Sequence, residues 1–154
     1  MARDREYDGA VFERILIVCM GNVCRSPAAE YLFRARTDSP GVNFTSAGLC
    51  APEGRPMDPT ALELLADSGI DGTMHRARQL APSMLHEADL ILGMEKSHVD
   101  AMVRLVPETR GKVYLLDKWL DGNDIPDPYR QQRPAFEYVH EMIARDIESW
   151  RPYL

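Results

Sequence analysis

The sequence predicts an α/β fold, in which a parallel sheet is covered by helices on both faces. Short apolar runs alternate with amphipathic segments, and this alternation is typical of parallel sheets. The apolar runs have the length of strands, whereas the amphipathic segments carry apolar residues at helical spacing. No repeat, linker or low-complexity stretch divides the 154 residues. We therefore expect a flexible N-terminal tail, residues 1–13, followed by a single domain over residues 14–154.

The chain opens with a strand, a tight turn and a helix. RILIVCM (14–20) is the kind of apolar, β-branched run expected for a strand buried on both faces. SPAAEYLFRAR (26–36) predicts a helix, because Pro27 suits a first turn and apolar residues recur on one face. That face comprises Ala28, Leu32 and Ala35. The order strand, turn, helix is typical of the start of a βαβ unit.

Two further pairs of strand and helix follow. VNFTSAG (42–48) predicts the second strand, and the helix after it has Asp58 as its N-cap and Gly69 beyond its end. ADLILGM (88–94) predicts a third buried strand. The segment SHVDAMVRLVP predicts a helix that Pro107 stops.

KVYLL (112–116) predicts the fourth strand, and an amphipathic helix over 134–150 ends the chain. The apolar face of this last helix comprises Phe136, Val139, Ile143, Ile147 and Trp150. Two long segments, 48–59 and 116–134, predict no regular structure, and loops of that length are often functional. Ligands of such sheets bind at the carboxyl ends of the strands, so we expect the loops after strands 1, 2 and 4 to meet there.

Composition disfavours several classes of function. The net charge of −6, from 24 acidic and 18 basic residues, disfavours nucleic acid as the main partner. Three cysteines are too few for a disulfide framework and fit a reducing cytoplasm. The cysteines and four histidines lack zinc-type spacing, so we expect no metal and no cofactor. No apolar run approaches the roughly 20 residues that span a bilayer, and we expect neither a signal peptide nor membrane insertion.

The turn after the first strand carries the candidate chemistry. Cys19 ends the strand, and five residues separate it from Arg25 at the start of the helix. A turn of that size can direct backbone N–H groups inward as an anion-binding nest, for which Gly21 and, less readily, Asn22 tolerate a positive φ. Arg25 adds a fork of donors matched to two phosphate oxygens. These positive surroundings favour a cysteine thiolate that faces phosphorus.

The spacing C-x5-R alone is weak evidence, since it occurs by chance and most intracellular cysteines are simply small buried residues. The same spacing followed by serine, at a strand-to-helix junction with an internal glycine, is far more specific. The segment VCMGNVCRSP resembles the signature of the low-molecular-weight protein tyrosine phosphatases. TSAG around Ser46, HRARQL from His75 and IPDPY around Asp127 fall in the order and spacing of that family, over nearly all the chain after residue 14.

The resemblance implies a three-layer, flavodoxin-like fold with a four-stranded parallel sheet. The segments MEKSH, PETRGKVYLL and IPDPYR are most similar to the bacterial branch that works in capsule and exopolysaccharide production. That branch acts on the tyrosine-rich tails of bacterial tyrosine autokinases. The resemblance therefore implies that the partner is a phosphotyrosine protein, the tail of a bacterial tyrosine autokinase in capsule or exopolysaccharide production.

The resemblance also assigns the chemical steps. Cys19 would attack phosphorus and form a phosphocysteine, and Arg25 would hold the equatorial oxygens. A proton donor is needed for the leaving group, and composition does not choose among Asp117, Asp121, Asp124 and Asp127. The match to DPY selects Asp127, which would later activate water. The backbone N–H groups that would hold the phosphate belong to Met20, Gly21, Asn22, Val23, Cys24 and Arg25.

Further residues receive supporting roles from the same resemblance. Ser26 would hydrogen-bond the sulfur, while Asn22, Ser46 and His75 would pin the loop in its shape. The rim of the pocket would comprise Leu49, Arg55 and Tyr129. Cys24 would form a protective disulfide with the nucleophile, and Cys50 receives no role.

Three rival functions remain open. Arsenate reductases of this fold relay oxidation through a further cysteine pair, and this chain has no cysteine after Cys50. Protein arginine phosphatases carry threonine where this chain has the apolar Val23. A non-catalytic phosphotyrosine-binding module would lose the nucleophile or the acid. We expect a monomer or a weak dimer. Three arginines, Arg55, Arg76 and Arg130, either attract an acidic, multiply phosphorylated tail or are merely solvated.

Overall fold

The computed structural model describes residues 12–154, so the tail predicted for residues 1–13 lies almost wholly outside the described residues. Four parallel strands form one sheet in the order β2–β1–β3–β4. The strands are β1 (Arg14–Cys19), β2 (Asn43–Gly48), β3 (Leu90–Gly93) and β4 (Val113–Leu115). The predicted four-stranded parallel sheet is confirmed.

Five α-helices surround the sheet in the described part of the chain. They are α1 (Arg25–Arg36), α2 (Pro59–Asp67), α3 (Pro82–Glu87), α4 (Lys96–Leu105) and α5 (Arg133–Trp150). Short 3-10 turns cover Pro107–Lys112, Leu116–Trp119 and Arg151–Tyr153. Helix α3 was not predicted, because it has six residues and buries only Leu85, too few for a helical period to be visible. None of the described helices is long and apolar enough to cross a bilayer.

The core has two layers, one on each face of the sheet. Alternate residues of β1 enter opposite layers: Ile15 and Ile17 pack with α1, α2 and α5, whereas Leu16 and Val18 pack with α3 and α4. A central strand buried on both faces explains the unbroken apolar run in the sequence. This arrangement confirms the three-layer fold class.

The predicted helix faces were right for α5 and partly wrong for α1. All five apolar residues predicted for α5 are buried. In α1, Ala35 is exposed, and Phe33 takes its place in the core by stacking on Phe44 at 4.9 Å between ring centroids. The capping predictions for α2 are confirmed, because Asp58 accepts a hydrogen bond from Thr60 N at 2.8 Å and Gly69 has a φ of +77° beyond the helix end.

Strand pairing continues past the ends of β1 and β2. Leu49 N donates to Cys19 O at 3.0 Å, and Cys50 N donates to Met20 O at 2.8 Å. These bonds hold the start of the long loop after β2 against the cysteine turn. The loop is thereby fixed at the carboxyl edge of the sheet.

Candidate active site

One cleft of about 460 Å³ opens at the carboxyl edge of the sheet. Cys19 reaches it from the end of β1, and Arg55 and Met57 reach it from the loop after β2. Asp127 and Tyr129 reach it from the loop after β4. The three loops that the sequence placed at this edge therefore meet there, as expected for a doubly wound sheet.

Cys19 is 2% exposed, and its sulfur lies among hydrogen-bond donors. Asn22 N donates to Sγ at 3.2 Å, and Ser26 Oγ lies 2.9 Å from Sγ. The sulfur also stands next to the N-terminal end of α1, where unpaired backbone N–H groups favour negative charge. Both donors lie where they can hydrogen-bond negative charge on the sulfur.

Asn22 organises the loop and is completely buried. Its Nδ2 donates to Ser26 Oγ at 2.8 Å and to Ser46 Oγ at 2.9 Å, while its Oδ1 accepts from Arg78 N at 2.9 Å. His75 Nε2 lies 2.8 Å from the backbone carbonyl of Asn22. Because a carbonyl only accepts, Nε2 carries the hydrogen. Burial lowers the pKa of His75, which keeps this imidazole neutral.

Of the two residues expected to tolerate a positive φ, Asn22 adopts it and Gly21 does not. Asn22 has a φ of +57°, whereas Gly21 is not among the glycines with positive φ. Asparagine is one of the few residues with a side chain that tolerates this region, and its amide bonds here offset the remaining cost.

Gly48 is the glycine that the loop requires, for a different reason. A Cβ at Gly48 would lie 2.8 Å from Met20 O and 3.0 Å from Asn22 N. A Cβ at Gly21 would meet nothing closer than Val23 Cγ2 at 3.7 Å. The loop therefore lies directly against the bare backbone at the end of β2.

Arg25 is 2% exposed and is held by two elements distant in sequence. Its Nη1 donates to Ile125 O at 2.8 Å and also forms an ion pair with Glu95. Its Nη2 lies 3.6 Å from Asp127 Oδ2. Sequence reasoning missed Glu95, whose only signal was its place in the segment MEKSH. Behind Glu95 lies the buried His98, with Nε2 3.7 Å from Glu95 Oε2.

Asp127 is the one of the four candidate acids that lines the cleft. Its carboxylate is oriented by Tyr129 N, which donates to Oδ1 at 3.1 Å. Asp117 is buried behind the loop, Asp121 is exposed, and Asp124 accepts a hydrogen bond from the first residue of α4 at 2.8 Å. The position of Asp127 in the cleft distinguishes it from the other three aspartates, a distinction that composition could not make.

The rim contains two of its three predicted residues. Arg55 and Tyr129 line the cleft, and the guanidinium of Arg130 stacks on the ring of Tyr129, 5.4 Å from its centroid. Leu49 does not reach the cleft, because it packs against the core layer on the opposite face of the sheet. Cys50, one residue further on, lines the cleft instead and is exposed.

Cys24 lies within the same cleft, one residue before α1 begins. Burial is the main cause that raises the pKa of its thiol well above the ordinary range, and the carboxylate of Asp58 adds to the shift. The side chain is therefore a neutral thiol at physiological pH. The described residues include no group of three or more potential metal ligands.

Comparison with known proteins places this geometry in context. The family model for low molecular weight phosphotyrosine protein phosphatase matches residues 14–154. The phosphatase Wzb of Salmonella typhimurium is 43% identical over 140 residues, which are 91% of this chain and 93% of that protein. The crystal structure of the Erwinia amylovora tyrosine phosphatase amsI superimposes with a TM-score of 0.88 at 40% identity, covering 95% of both chains.

A structure named for a different activity is also similar. The YwlE arginine phosphatase from Geobacillus stearothermophilus gives a TM-score of 0.85 at 32% identity, over 91% of each chain. The tyrosine phosphatases above are more similar in sequence. The family match spans all of the sheet and helices described above, so the chain belongs to the low molecular weight phosphotyrosine protein phosphatase family.

Proposed function

We propose that this protein hydrolyses phosphotyrosine in proteins through a phosphocysteine intermediate. The observation that carries the proposal is a buried Cys19 sulfur among hydrogen-bond donors, in one cleft with Arg25 and Asp127. A nucleophile, an anion-binding group and a proton donor in one cleft are what phosphate-ester cleavage requires.

In the first step, the Cys19 thiolate attacks phosphorus and the bond from phosphorus to the phenolic oxygen breaks. The backbone N–H groups of residues 20–25 bind the equatorial oxygens. Glu95 and Ile125 O hold Nη1 of Arg25, so its Nε and Nη2 groups, the latter 3.6 Å from Asp127 Oδ2, would bind the phosphate. Asp127 gives its proton to the departing phenolate.

In the second step, Asp127 takes a proton from water, which attacks the phosphocysteine. The bond between phosphorus and sulfur breaks, inorganic phosphate forms, and the sulfur leaves as a thiolate. The hydroxyl of Ser26 and the backbone N–H of Asn22 lie where that returning charge develops. The same donors therefore serve the resting nucleophile and the leaving group.

Phosphotyrosine suits the cleft better than the rival substrates. The ring of Tyr129 offers a wall for an aromatic group, and the apolar Val23 lines the cleft where arginine phosphatases are expected to carry threonine. An arsenate reductase relay would need a cysteine pair beyond Cys50, and the sequence has none.

The physiological substrate that we propose is the tyrosine-rich tail of a bacterial tyrosine autokinase in capsule or exopolysaccharide production, within the cytoplasm. The resemblance to the bacterial branch and the similarity to Wzb support this choice. Arg55 and Arg130 stand at the cleft and beside its aromatic wall, where they would attract a tail with several phosphates.

Hydrolysis of aryl phosphates by wild type and two variants tests the reaction. Cys19→Ser is expected to abolish turnover. Asp127→Asn is expected to slow phenyl phosphate by on the order of 10²-fold or more, and p-nitrophenyl phosphate less, because p-nitrophenolate leaves readily without a proton. No turnover by the wild type would favour a binding module, and faster cleavage of phosphoarginine would favour an arginine phosphatase.

Charge reversal at the rim tests the substrate. Arg55→Glu and Arg130→Glu are expected to lower kcat/KM for a multiply phosphorylated tail several-fold, and to leave p-nitrophenyl phosphate nearly unchanged. Arg110→Glu, an exposed arginine in the 3-10 turn before β4, is the matched control. Equal effects of all three substitutions on the tail would remove the rim arginines from recognition.

A further inference from the structure

Two buried carboxyl groups face each other behind the loop that carries Asp127. Asp117, from the 3-10 turn after β4, is 1% exposed, and Asp146, from the middle of α5, is 0% exposed. Their side chains lie within hydrogen-bonding reach of each other. Acidic side chains are seldom buried so completely unless they are paired, so this arrangement requires a cause.

Most of the four carboxyl oxygens have no donor from elsewhere. Asp117 Oδ2 accepts the backbone N–H of Asn123 at 2.8 Å. Asp117 Oδ1 and both oxygens of Asp146 have no other hydrogen-bond partner among residues 12–154. Two carboxylates cannot bond each other, because an ionised carboxylate only accepts. One proton between them supplies the missing donor and removes one of two repelling buried charges.

We propose that Asp117 and Asp146 share one proton at neutral pH and act as positioning residues for the loop that ends at Asp127. The positioning role rests on the proposed function of that loop, whereas the shared proton does not. Loss of the proton in alkaline solution would place two like charges in a buried site and separate the loop from α5.

The surroundings of the pair favour the protonated state. Burial, followed by the hydrogen bond and charge of Asp117, raises the pKa of Asp146 to about 8. Arg145 on the same helix opposes this shift and Asp121 on the loop adds to it. The Nζ of Lys118, in the 3-10 turn, lies over the rings of Tyr114 and Trp119, at 4.7 Å from each ring centroid. In the last turns of the chain, Arg151 pairs with Glu148.

Hydrogen bonds fix the loop between the pair and Asp127 at two places, near Asp117 and at Ile125. The backbone carbonyl of Asp117 accepts N–H groups two positions apart, from Leu120 and Gly122, both at 3.1 Å. Further along the loop, Ile125 N donates to Met94 O at 2.9 Å, and Ile125 O accepts from Arg25 Nη1 at 2.8 Å. Asp127 follows two residues later. A displacement at Asp117 therefore reaches both the phosphate-binding arginine and the general acid.

The experiment compares wild type with Asp146→Asn and Asp117→Asn. In each variant an amide N–H replaces the shared proton as the hydrogen-bond donor, and the amide does not ionise between pH 5 and 9.5. The matched control is Asp100→Asn, an exposed carboxylate on α4 that does not contribute to the pKa shift of Asp146. Urea unfolding from pH 5 to 9.5 measures the shared proton. The native wild type holds a proton that the unfolded chain releases, so its unfolding constant should rise, relative to Asp146→Asn, by up to tenfold per pH unit until about pH 8.

Two readouts measure the positioning role. The kcat/KM for phenyl phosphate should decline in alkaline solution for wild type and Asp100→Asn, and this decline should be smaller or absent in both amide variants. The fluorescence of Trp119, in the same 3-10 turn as Asp117, should show a transition near pH 8 that the amide variants lack. The fluorescence does not depend on turnover, so an inactive wild type would refute the proposed function alone.

A difference in unfolding free energy between wild type and Asp146→Asn that does not change with pH would overturn the shared proton. Identical fluorescence profiles in wild type and both amide variants would overturn the positioning role. A loss of stability in the amide variants that is equal at every pH is what a merely structural carboxyl would produce, and it would count against the proposal.

Discussion

Gly48→Ala is the most direct test of how the phosphate loop is held. The new Cβ would lie 2.8 Å from Met20 O, 3.0 Å from Asn22 N and 3.0 Å from the carbonyl carbon of Gly21. All three are backbone atoms, so no flexible side chain can rotate away. The loop itself must move by several tenths of an ångström.

The magnitude follows from the kind of atoms that clash. Overpacking against a rigid environment costs about 1–3 kcal/mol, and for a chain of this length it lowers Tm by roughly 2–4 °C per kcal/mol. A misplacement of 1 Å at a reacting centre costs about 10²-fold in rate. A shift of a few tenths of an ångström should therefore lower kcat/KM on the order of tenfold.

The assay combines steady-state hydrolysis of p-nitrophenyl phosphate, inhibition by inorganic phosphate and thermal unfolding. Gly21→Ala is the matched control, because its Cβ would have ordinary space at 3.7 Å from Val23 Cγ2. We expect weaker phosphate inhibition and a lower Tm for Gly48→Ala, and values near wild type for Gly21→Ala. The reasoning is refuted if Gly48→Ala keeps full activity, or if Gly21→Ala is the more damaging of the two.

Three further predictions concern groups around the same loop. Cys24→Ser should prevent recovery of activity by a thiol reductant after peroxide, because the nucleophilic sulfur would then oxidise further instead of forming a disulfide. Glu95→Gln should lower the free energy of unfolding by about 1–3 kcal/mol, since the buried Arg25 then keeps only the more distant carboxylate of Asp127, and phosphate should restore more stability than in wild type. His75→Gln should abolish a loss of stability below pH 6.5, because burial lowers the pKa of His75. The contribution of the neutral ring is complete above that pH and is lost as the ring becomes charged in its buried site.

Each has a contrary result. Equal recovery of Cys24→Ser and wild type after reduction would exclude the protective disulfide. A Tm that phosphate raises equally with and without Glu95 would show that this carboxylate does not compensate the arginine. An unfolding free energy that falls in parallel below pH 6.5 in wild type and His75→Gln would assign the acid sensitivity to another group.

The elements that sequence reasoning located well are those whose pattern extends over many residues. The apolar face of α5 repeats over more than four turns, and β1 is an unbroken apolar run because both faces of the central strand are buried. Helix α3 and the exposure of Ala35 were not predicted, since a six-residue helix and a small alanine carry almost no periodic signal. Local pattern predicts what the chain does alone, and tertiary packing decides the rest.

The site divides in the same way. The roles given to Cys19, Arg25 and Ser26 depended on residues within eight positions of each other, where spacing is informative. The ion pair of Arg25 with Glu95 joins residues 70 positions apart, and no local pattern announces it. Leu49 and Cys50 show the limit of resolution, because a shift of one residue reverses which face of a strand end a side chain occupies.

The hydrogen-bond network has a direction, and that direction explains why an amide stands at its centre. Asn22 Nδ2 donates to Ser26 Oγ and to Ser46 Oγ, so each hydroxyl must send its own hydrogen elsewhere. Ser46 donates to Glu30 Oε1 at 2.5 Å, and Ser26 is left to donate to the sulfur of Cys19. A carboxylate at position 22 would accept both hydroxyl hydrogens and withdraw the donor from the thiolate. Asn22→Asp should therefore lower kcat/KM more than Asn22→Gly. Aspartate matches the shape of asparagine better than glycine does, so a prediction from shape alone would give the opposite order.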